Sequence, residues 1–286
     1  MSRIEKVGVV GAGVMGVGVS QALAQAAFQV VLLDLSDEIL ESAEREIERG
    51  LRFHGMMSRR PDAEPSAVVM ERIELTTDHA RFADCDFVIE NVTEREAVKR
   101  TIYPVLDATC PAHAVFAANT SCIPISTIAA WTSRPDRVLG MHFMNPVPLK
   151  PVVETIRAPL TSSATIDTAV GLLARMGKEG IVVNDAPGFV SNRVLMLTIN
   201  EAIWTVMDGV ASPADVDRLF VTCFGHKMGP LATGDLIGLD TILQSLEVLE
   251  SSFGDPKFRP CPLLREMVAA GHHGRKTGRG FFEHGT

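Results

Sequence analysis

The apolar run Val7-Gly8-Val9-Val10 leads directly into Gly11-Ala12-Gly13-Val14-Met15-Gly16, and Val14 to Ala27 then carries helical character. Glycines at G-x-G-x-x-G spacing also arise in unrelated turns, so the triplet alone decides little. Between a strand and a helix it says more. The first N–H groups of the helix form a positive terminus, and the glycines let a pyrophosphate approach the backbone closely. Gln29 to Leu33 reads as a second strand, completing a β-α-β unit, and Asp34 ends it where a carboxylate binds ribose hydroxyls. That carboxylate repels a 2′-phosphate, so the pattern predicts NAD rather than NADP. The competing reading is a tight strand-to-helix turn with a solvated aspartate.

Further apolar runs at Phe87-Val88-Ile89, Ala114 to Ala117, Val138 to Phe143 and Ile181-Val182-Val183, with helical segments between the earlier ones, predict a doubly wound, mostly parallel α/β sheet. Glu38 to Arg52 has helical spacing, and Arg59 to Ser66 is a polar, proline-broken loop. The character changes near Asn184, where the strand signal stops and Phe189 to Val210 shows a wide apolar helical stripe. The expected division is therefore residues 1–184 for the cofactor-binding sheet and 185–286 for an all-helical second domain. Ser212-Pro213-Ala214-Asp215 predicts a helix start, with a hydroxyl cap, a proline in the first turn and an acid beside it.

A chain of 286 residues suits two domains and needs no staples to form a core. With 46% hydrophobic and 22% charged residues it is ordinary globular material, far from the signature of disorder. Its net charge of −8 repels phosphate backbones and anionic lipid, so nucleic acid and membrane are not expected partners. The five cysteines (Cys85, Cys110, Cys122, Cys223 and Cys261) are odd in number and form no C-x-x-C or Cys/His cluster. They predict reduced thiols in a cytoplasmic protein and no metal site. The start lacks a signal-peptide apolar region, and no apolar stretch reaches membrane-spanning length.

The segment Gly140 to Glu154 places His142 at the end of an apolar strand, and carboxyl ends of parallel strands are where such sheets bind ligands. Pro146, Pro148 and Pro151 prevent a helix and predict a bent loop returning Glu154 to the imidazole. A carboxylate on one ring nitrogen fixes the tautomer and leaves the other nitrogen to exchange a proton with substrate. A hydrogen-bonded core histidine is the alternative.

Several motifs occur in order along nearly the whole chain: Gly11 to Gly16 with Asp34, Asn119-Thr120-Ser121, Gly140 to Pro148, Pro187 to Arg193, Met228-Gly229-Pro230 with Gly238-Leu239-Asp240, and Gly274 to Phe282. Together they resemble the L-3-hydroxyacyl-CoA dehydrogenase family, of which 3-hydroxybutyryl-CoA dehydrogenases are members. The resemblance implies a Rossmann-type domain and a helical dimerisation domain, a homodimer, and an active site in the cleft between the two domains. It makes His142 the catalytic base and Glu154 its partner, with Ser121 and Asn192 holding the reacting oxygen and the neighbouring carbonyl. Gly11, Gly13, Gly16, Asp34, Glu94, Lys99, Asn119 and Lys276 fall on cofactor positions. Glu94 and Lys99 equally suit an exposed helix face, and Lys276 a solvated tail.

Some residues depart from the family's habit: Asn91, Cys122, Phe282 and above all Leu51 to Met57, where the family carries a lysine-bearing segment of the CoA site. With Phe224 to Pro230 and Arg259 to Leu264, that stretch resembles a branch in polyketide biosynthesis. That branch oxidises a hydroxyacyl group on an acyl carrier protein, such as the glyceryl thioester leading to hydroxymalonyl and methoxymalonyl extender units. The expectation is an NAD-dependent dehydrogenase of a short hydroxyacyl thioester on a carrier protein, with the CoA thioester as the alternative. Arg52, Arg59 and Arg60 could serve either carrier. Two rivals remain at this point: a non-catalytic protein on the same fold, and an adenosyl-dependent methyltransferase with a similar glycine loop.

Overall fold

The computed structural model describes residues 4–58 and 64–285. Contacts divide the chain into Met1–Ala186 and Pro187–Thr286, where the sequence places the change between residues 184 and 185. Along the first unit run β1 (Lys6–Val10), α1 (Val14–Gln25), β2 (Gln29–Leu33), α2 (Asp37–Ser58), α3 (Ser66–Met70), β3 (Ile73–Thr76) and β4 (Phe87–Glu90). Then follow α4 (Glu96–Thr109), β5 (Val115–Ala118), α5 (Ile125–Ala129), β6 (Val138–His142), β7 (Val152–Arg157), α6 (Ser163–Arg175) and β8 (Glu179–Asn184).

The strands form one sheet in the order β3-β2-β1-β4-β5-β6-β7-β8. Every neighbouring pair is parallel except β6 and β7. The chain winds outward from β1 through β2 to β3 and then crosses to β4 on the other side of β1, so the switch point of the sheet lies between β1 and β4. Alternation along the strands builds two covered faces. Val7, Val9, Val30, Leu32, Phe87 and Ile89 share a core with Leu23 of α1, Ile47 of α2 and Leu173 of α6. Gly8 points the other way, where an added Cβ would lie 2.2 Å from the Phe82 ring.

Two strands were not anticipated. β3 is a four-residue run of mixed character. β7 occupies the stretch expected to be the end of a bent loop, and the three prolines instead frame a connection with a 3-10 turn at Val147–Leu149 between antiparallel strands.

The second unit is helical: α7 (Ser191–Met207), α8 (Pro213–Phe224), α9 (Pro230–Ile237), α10 (Leu239–Phe253) and α11 (Pro262–Ala269). Ile199, Ile203, Leu231, Ile242, Leu246, Phe258 and Leu264 form its core. The start of α8 is as the sequence predicts, with the Ser212 hydroxyl accepting the Asp215 amide at 3.2 Å and Pro213 in the first turn. Buried Asp235 ties down the tail, accepting the Phe281 and Phe282 amides at 2.9 Å each and pairing with the His284 ring. Among the described residues, no helix is long and apolar enough to cross a membrane, and no His, Cys, Asp or Glu side chains gather as a metal site.

Candidate active site

The glycine loop follows β1 at the switch point. Gly11 has φ +91°, a region that disfavours side chains, and its Cβ would meet the Asn91 and Val92 backbone at 3.0 Å. A Cβ on Gly16 would lie 1.7 Å from the Gly11 carbonyl oxygen, so this glycine lets the helix fold back over the loop. Gly13 is different, because nothing of the chain lies within 4 Å of its Cβ position and its φ of −74° suits any residue. Its missing side chain leaves space for a ligand. The first turn of α1 has neither a side-chain cap nor an acidic residue, so its amides face that space uncompensated. Asp34 stands at the end of β2, its carboxylate accepting the Ala12 amide of the loop and the Leu35 amide, each at 2.6 Å. The cradle fits a dinucleotide pyrophosphate, with a carboxylate in place for a ribose diol.

His142 ends β6 and stands opposite Glu154 of β7 in the antiparallel register, so both side chains project from the same face. The His142 Nδ1 lies 3.1 Å from Glu154 Oε2, and the Nε2 lies 3.2 Å from Ser121 Oγ. Both residues of the pair are buried, at 6% and 8% exposure, which excludes water from the contact. A carboxylate only accepts, so the network assigns the proton to Nδ1 and leaves the Nε2 lone pair toward the Ser121 hydroxyl. The arrangement is that of a base whose far side is held by a fixed negative charge.

Ser121 lies on the turn between β5 and α5. Glu94 Oε1 accepts the Thr120 hydroxyl at 2.5 Å and the Ser121 and Cys122 amides at 2.9 and 3.0 Å. Lys99 is fully buried, which removes the exposed-face alternative for it. Its ammonium donates to both Glu90 oxygens at 2.7 and 2.9 Å and to the Val92 carbonyl at 3.4 Å. Burial pushes the Glu90 carboxyl up against the pull of Lys99, and burial together with Glu90 pushes the Tyr103 phenol well up. Asn119 donates to Asn91 Oδ1 at 2.7 Å and accepts the Phe143 amide at 3.2 Å, joining the ends of β4, β5 and β6.

Asn192 and Lys276 belong to the second unit. Asn192 is in the first turn of α7, and Lys276 forms an ion pair with Asp240.

Sequence reading missed Glu90, Tyr103 and Lys178. Glu90 closes an apolar strand and gives no one-dimensional sign of being buried. Lys178 donates to the Val147 and Lys150 carbonyls at 2.7 Å each, clamping the connection between His142 and Glu154, and burial pulls its ammonium pKa down. That connection also walls an apolar groove of about 680 Å³ beside the glycine loop, lined by Val14, Val17, Ile39, Phe53, Pro146 and Pro148 among others. Phe53 is therefore the one placed aromatic of the unusual Leu51 to Met57 stretch. The side chains of residues 54–58, and Arg59 and Arg60 entirely, lie outside the described residues.

Residues 6–186 match the family described as 3-hydroxyacyl-CoA dehydrogenase, NAD binding domain, and residues 188–284 match 3-hydroxyacyl-CoA dehydrogenase, C-terminal domain. The chain is 45% identical over 282 residues to a probable 3-hydroxybutyryl-CoA dehydrogenase of Bacillus subtilis, covering 99% of this chain and 98% of that one. It is 43% identical over 281 residues to the 3-hydroxybutyryl-CoA dehydrogenase of Bradyrhizobium diazoefficiens, covering 98% and 96%. The crystal structure of (S)-3-hydroxybutyryl-CoA dehydrogenase from Ralstonia eutropha superposes with a TM-score of 0.95 at 42% identity, covering 99% of this chain and all (100%) of that one. These matches set aside the non-catalytic and methyltransferase rivals. The chain belongs to the 3-hydroxyacyl-CoA dehydrogenase family and is an NAD-dependent oxidoreductase acting on CH–OH groups.

Proposed function

We propose that this enzyme reversibly oxidises the 3-hydroxyl of a short L-3-hydroxyacyl-CoA, with 3-hydroxybutyryl-CoA as the first substrate to try. The observation that carries the reading is the line Glu154, His142, Ser121, with an acceptor on one ring nitrogen and a hydroxyl on the other. In oxidation, His142 Nε2 takes the proton of the substrate hydroxyl, and Glu154 stabilises the resulting imidazolium through Nδ1–H. The Ser121 hydroxyl shares the same oxygen and fixes its direction toward the base. NAD, when bound, accepts the hydride from the carbinol carbon. Gly11, Gly13 and Gly16 would hold its pyrophosphate and Asp34 its ribose hydroxyls, with Asn119, Glu94, Lys99 and Lys276 assigned near it by resemblance alone. The role of Asn192 at the thioester carbonyl likewise rests on resemblance. In reduction His142 returns the proton from the imidazolium.

The carrier-protein reading gives way to its CoA alternative. Whole-chain relatives at 45% and 43% identity are named for CoA substrates, and the departures at Leu51 to Met57 carry less weight than that agreement. The apolar groove beside the glycine loop suits an uncharged pantetheine arm. The test is the NAD-dependent oxidation of the same hydroxybutyryl group on CoA and on an acyl carrier protein. The expected result is equal or higher kcat/KM on CoA, and a clear preference for the carrier would restore the first reading.

Two further assignments go with this reading. The enzyme is a homodimer, supported by exposed apolar residues on α8 and α9 of the second unit. It works in a reducing cytoplasm, supported by five free cysteines of which four are buried.

A further inference from the structure

We propose that Glu94 is a positioning residue: its carboxylate holds the Thr120–Cys122 turn, and through it sets the Ser121 hydroxyl against His142. The proposal rests on the dehydrogenase reading above, in which Ser121 touches the reacting oxygen.

Ser121 needs such a support because it lies in neither a strand nor a helix. β5 ends at Ala118 and α5 begins at Ile125, so the turn between them has no ladder to fix it. Three of its donors converge instead on one oxygen of Glu94: the Thr120 hydroxyl and the Ser121 and Cys122 amides. Thr120, itself buried, uses the same hydroxyl oxygen to accept the Ile123 amide at 3.1 Å, closing the turn on itself. Successive backbone N–H groups aimed at one point make a nest for an anion, and here a side chain of the same chain fills it. Charge matters at that point, since hydrogen bonds to an ionised acceptor are roughly twice as strong as neutral ones.

The other side of the carboxylate faces the sheet. Glu94 Oε2 stands 3.8 Å from the Lys99 ammonium, which Glu90 holds at the end of β4. A continuous polar line therefore runs from Glu90 through Lys99 and Glu94 to the turn, and from Ser121 to His142 and Glu154. With Oε1 already accepting three donors, the carboxylate is committed to the turn. Its effect on the reaction passes through the 3.2 Å separation of Ser121 Oγ and His142 Nε2. A misplacement of about 1 Å in such a group costs on the order of 10²-fold in rate.

The test is a double-mutant cycle on the full-length enzyme with L-3-hydroxybutyryl-CoA, with NAD affinity measured separately by calorimetry. Glu94→Gln is expected to lower kcat at saturating NAD by about 10- to 100-fold while the Kd for NAD moves less than about 3-fold. In a Ser121→Ala background the same substitution is expected to cost less than about 3-fold, because the group it positions is gone. Thr120→Val removes one donor and leaves the carboxylate. It is expected to slow kcat by about 3- to 10-fold with the same loss of effect in the Ser121→Ala background, and it carries the cycle if Glu94→Gln does not fold. Undiminished slowing without Ser121, an unchanged kcat, or an NAD Kd raised tenfold or more with kcat intact would each overturn the proposal. Wild-type enzyme that binds NAD but turns over no short hydroxyacyl thioester would instead overturn the reading beneath it.

Discussion

His142 meets a carboxylate on one nitrogen and a hydroxyl on the other, and that asymmetry sets the direction in which its proton moves. Removing the ring in His142→Ala should lower kcat by about 10²- to 10⁴-fold with NAD affinity nearly unchanged, measured by steady-state kinetics beside calorimetry. Glu154→Gln should slow turnover less, since the amide still accepts from Nδ1–H but offers no charge to the imidazolium. The glycine loop allows a sharper separation of folding from binding. Gly16→Ala drives a Cβ into the Gly11 carbonyl at 1.7 Å and should lower Tm, whereas Gly13→Ala meets nothing within 4 Å. The Gly13 variant should therefore melt like wild type and bind NAD at least tenfold more weakly, by about 1.4 kcal/mol or more. Normal NAD binding by that variant would move the pyrophosphate elsewhere. His142 and the glycine loop were legible because they sit in spaced motifs at strand ends, Glu154 because it follows His142 across a proline-rich connection, and Ser121 only through the family resemblance. Glu90 and Lys178 were not, because a charge beside an apolar run looks the same in one dimension whether it faces water or a carbonyl.

Strand ends explain why the parallel part of the sheet was readable and β7 was not. Phe87-Val88-Ile89 and Val138 to Phe143 are continuous apolar runs, the mark of strands buried on both faces. Val152 to Arg157 is shorter in apolar character and follows three prolines, and its strand state comes from pairing with β6 and β8 rather than from its own residues. Glu154 therefore meets His142, as the sequence predicts, but by cross-strand register rather than at the end of a bent loop. Helix ends show the same dependence on distant residues. Arg134 donates to the Asp107 carboxylate at 2.6 Å and to the Asp107 and Pro111 carbonyls at 2.7 and 2.5 Å, placing a cation on the C-terminus of α4. Burial pushes the Asp107 carboxyl up, but the Ser133 amide and Arg134 more than reverse it, leaving its pKa below the ordinary value. A carboxyl depressed in the folded state contributes stability that is present above its unfolded pKa of about 3.9 and is lost as pH falls through the folded pKa. Arg134→Met should cost about 1–3 kcal/mol at pH 7. The gap in Tm between wild type and variant should narrow as the pH falls below about 4, and a gap independent of pH would show that the carboxylate contributes nothing.

At the scale of the whole molecule, α8 leaves most of its surface uncovered by its own chain. Of its 12 residues only Val216 and Asp217 are buried. Leu219 and Phe224 are 54% and 69% exposed, and Leu236 and Ile237 at the end of α9 are exposed as well. Single apolar residues at a surface need no explanation, but several on two helices that pack together are the surface the proposed homodimer would cover. A second copy of the chain supplies an apolar face of the same kind, and in a two-fold dimer each substitution acts twice because the same patch lies on both sides. Phe224→Asp would then bring two carboxylates into one interface. Sedimentation should show dimers for wild type at micromolar concentration and monomers for Phe224→Asp, with His142 chemistry intact per subunit or lowered only through stability. Cys223, exposed in the single chain and adjacent to Phe224, gives a second readout: its alkylation should be slow in wild type and fast in the variant. A wild-type enzyme that sediments as a monomer and alkylates at Cys223 as rapidly as Phe224→Asp would leave α8 without a partner copy and sink the dimer assignment.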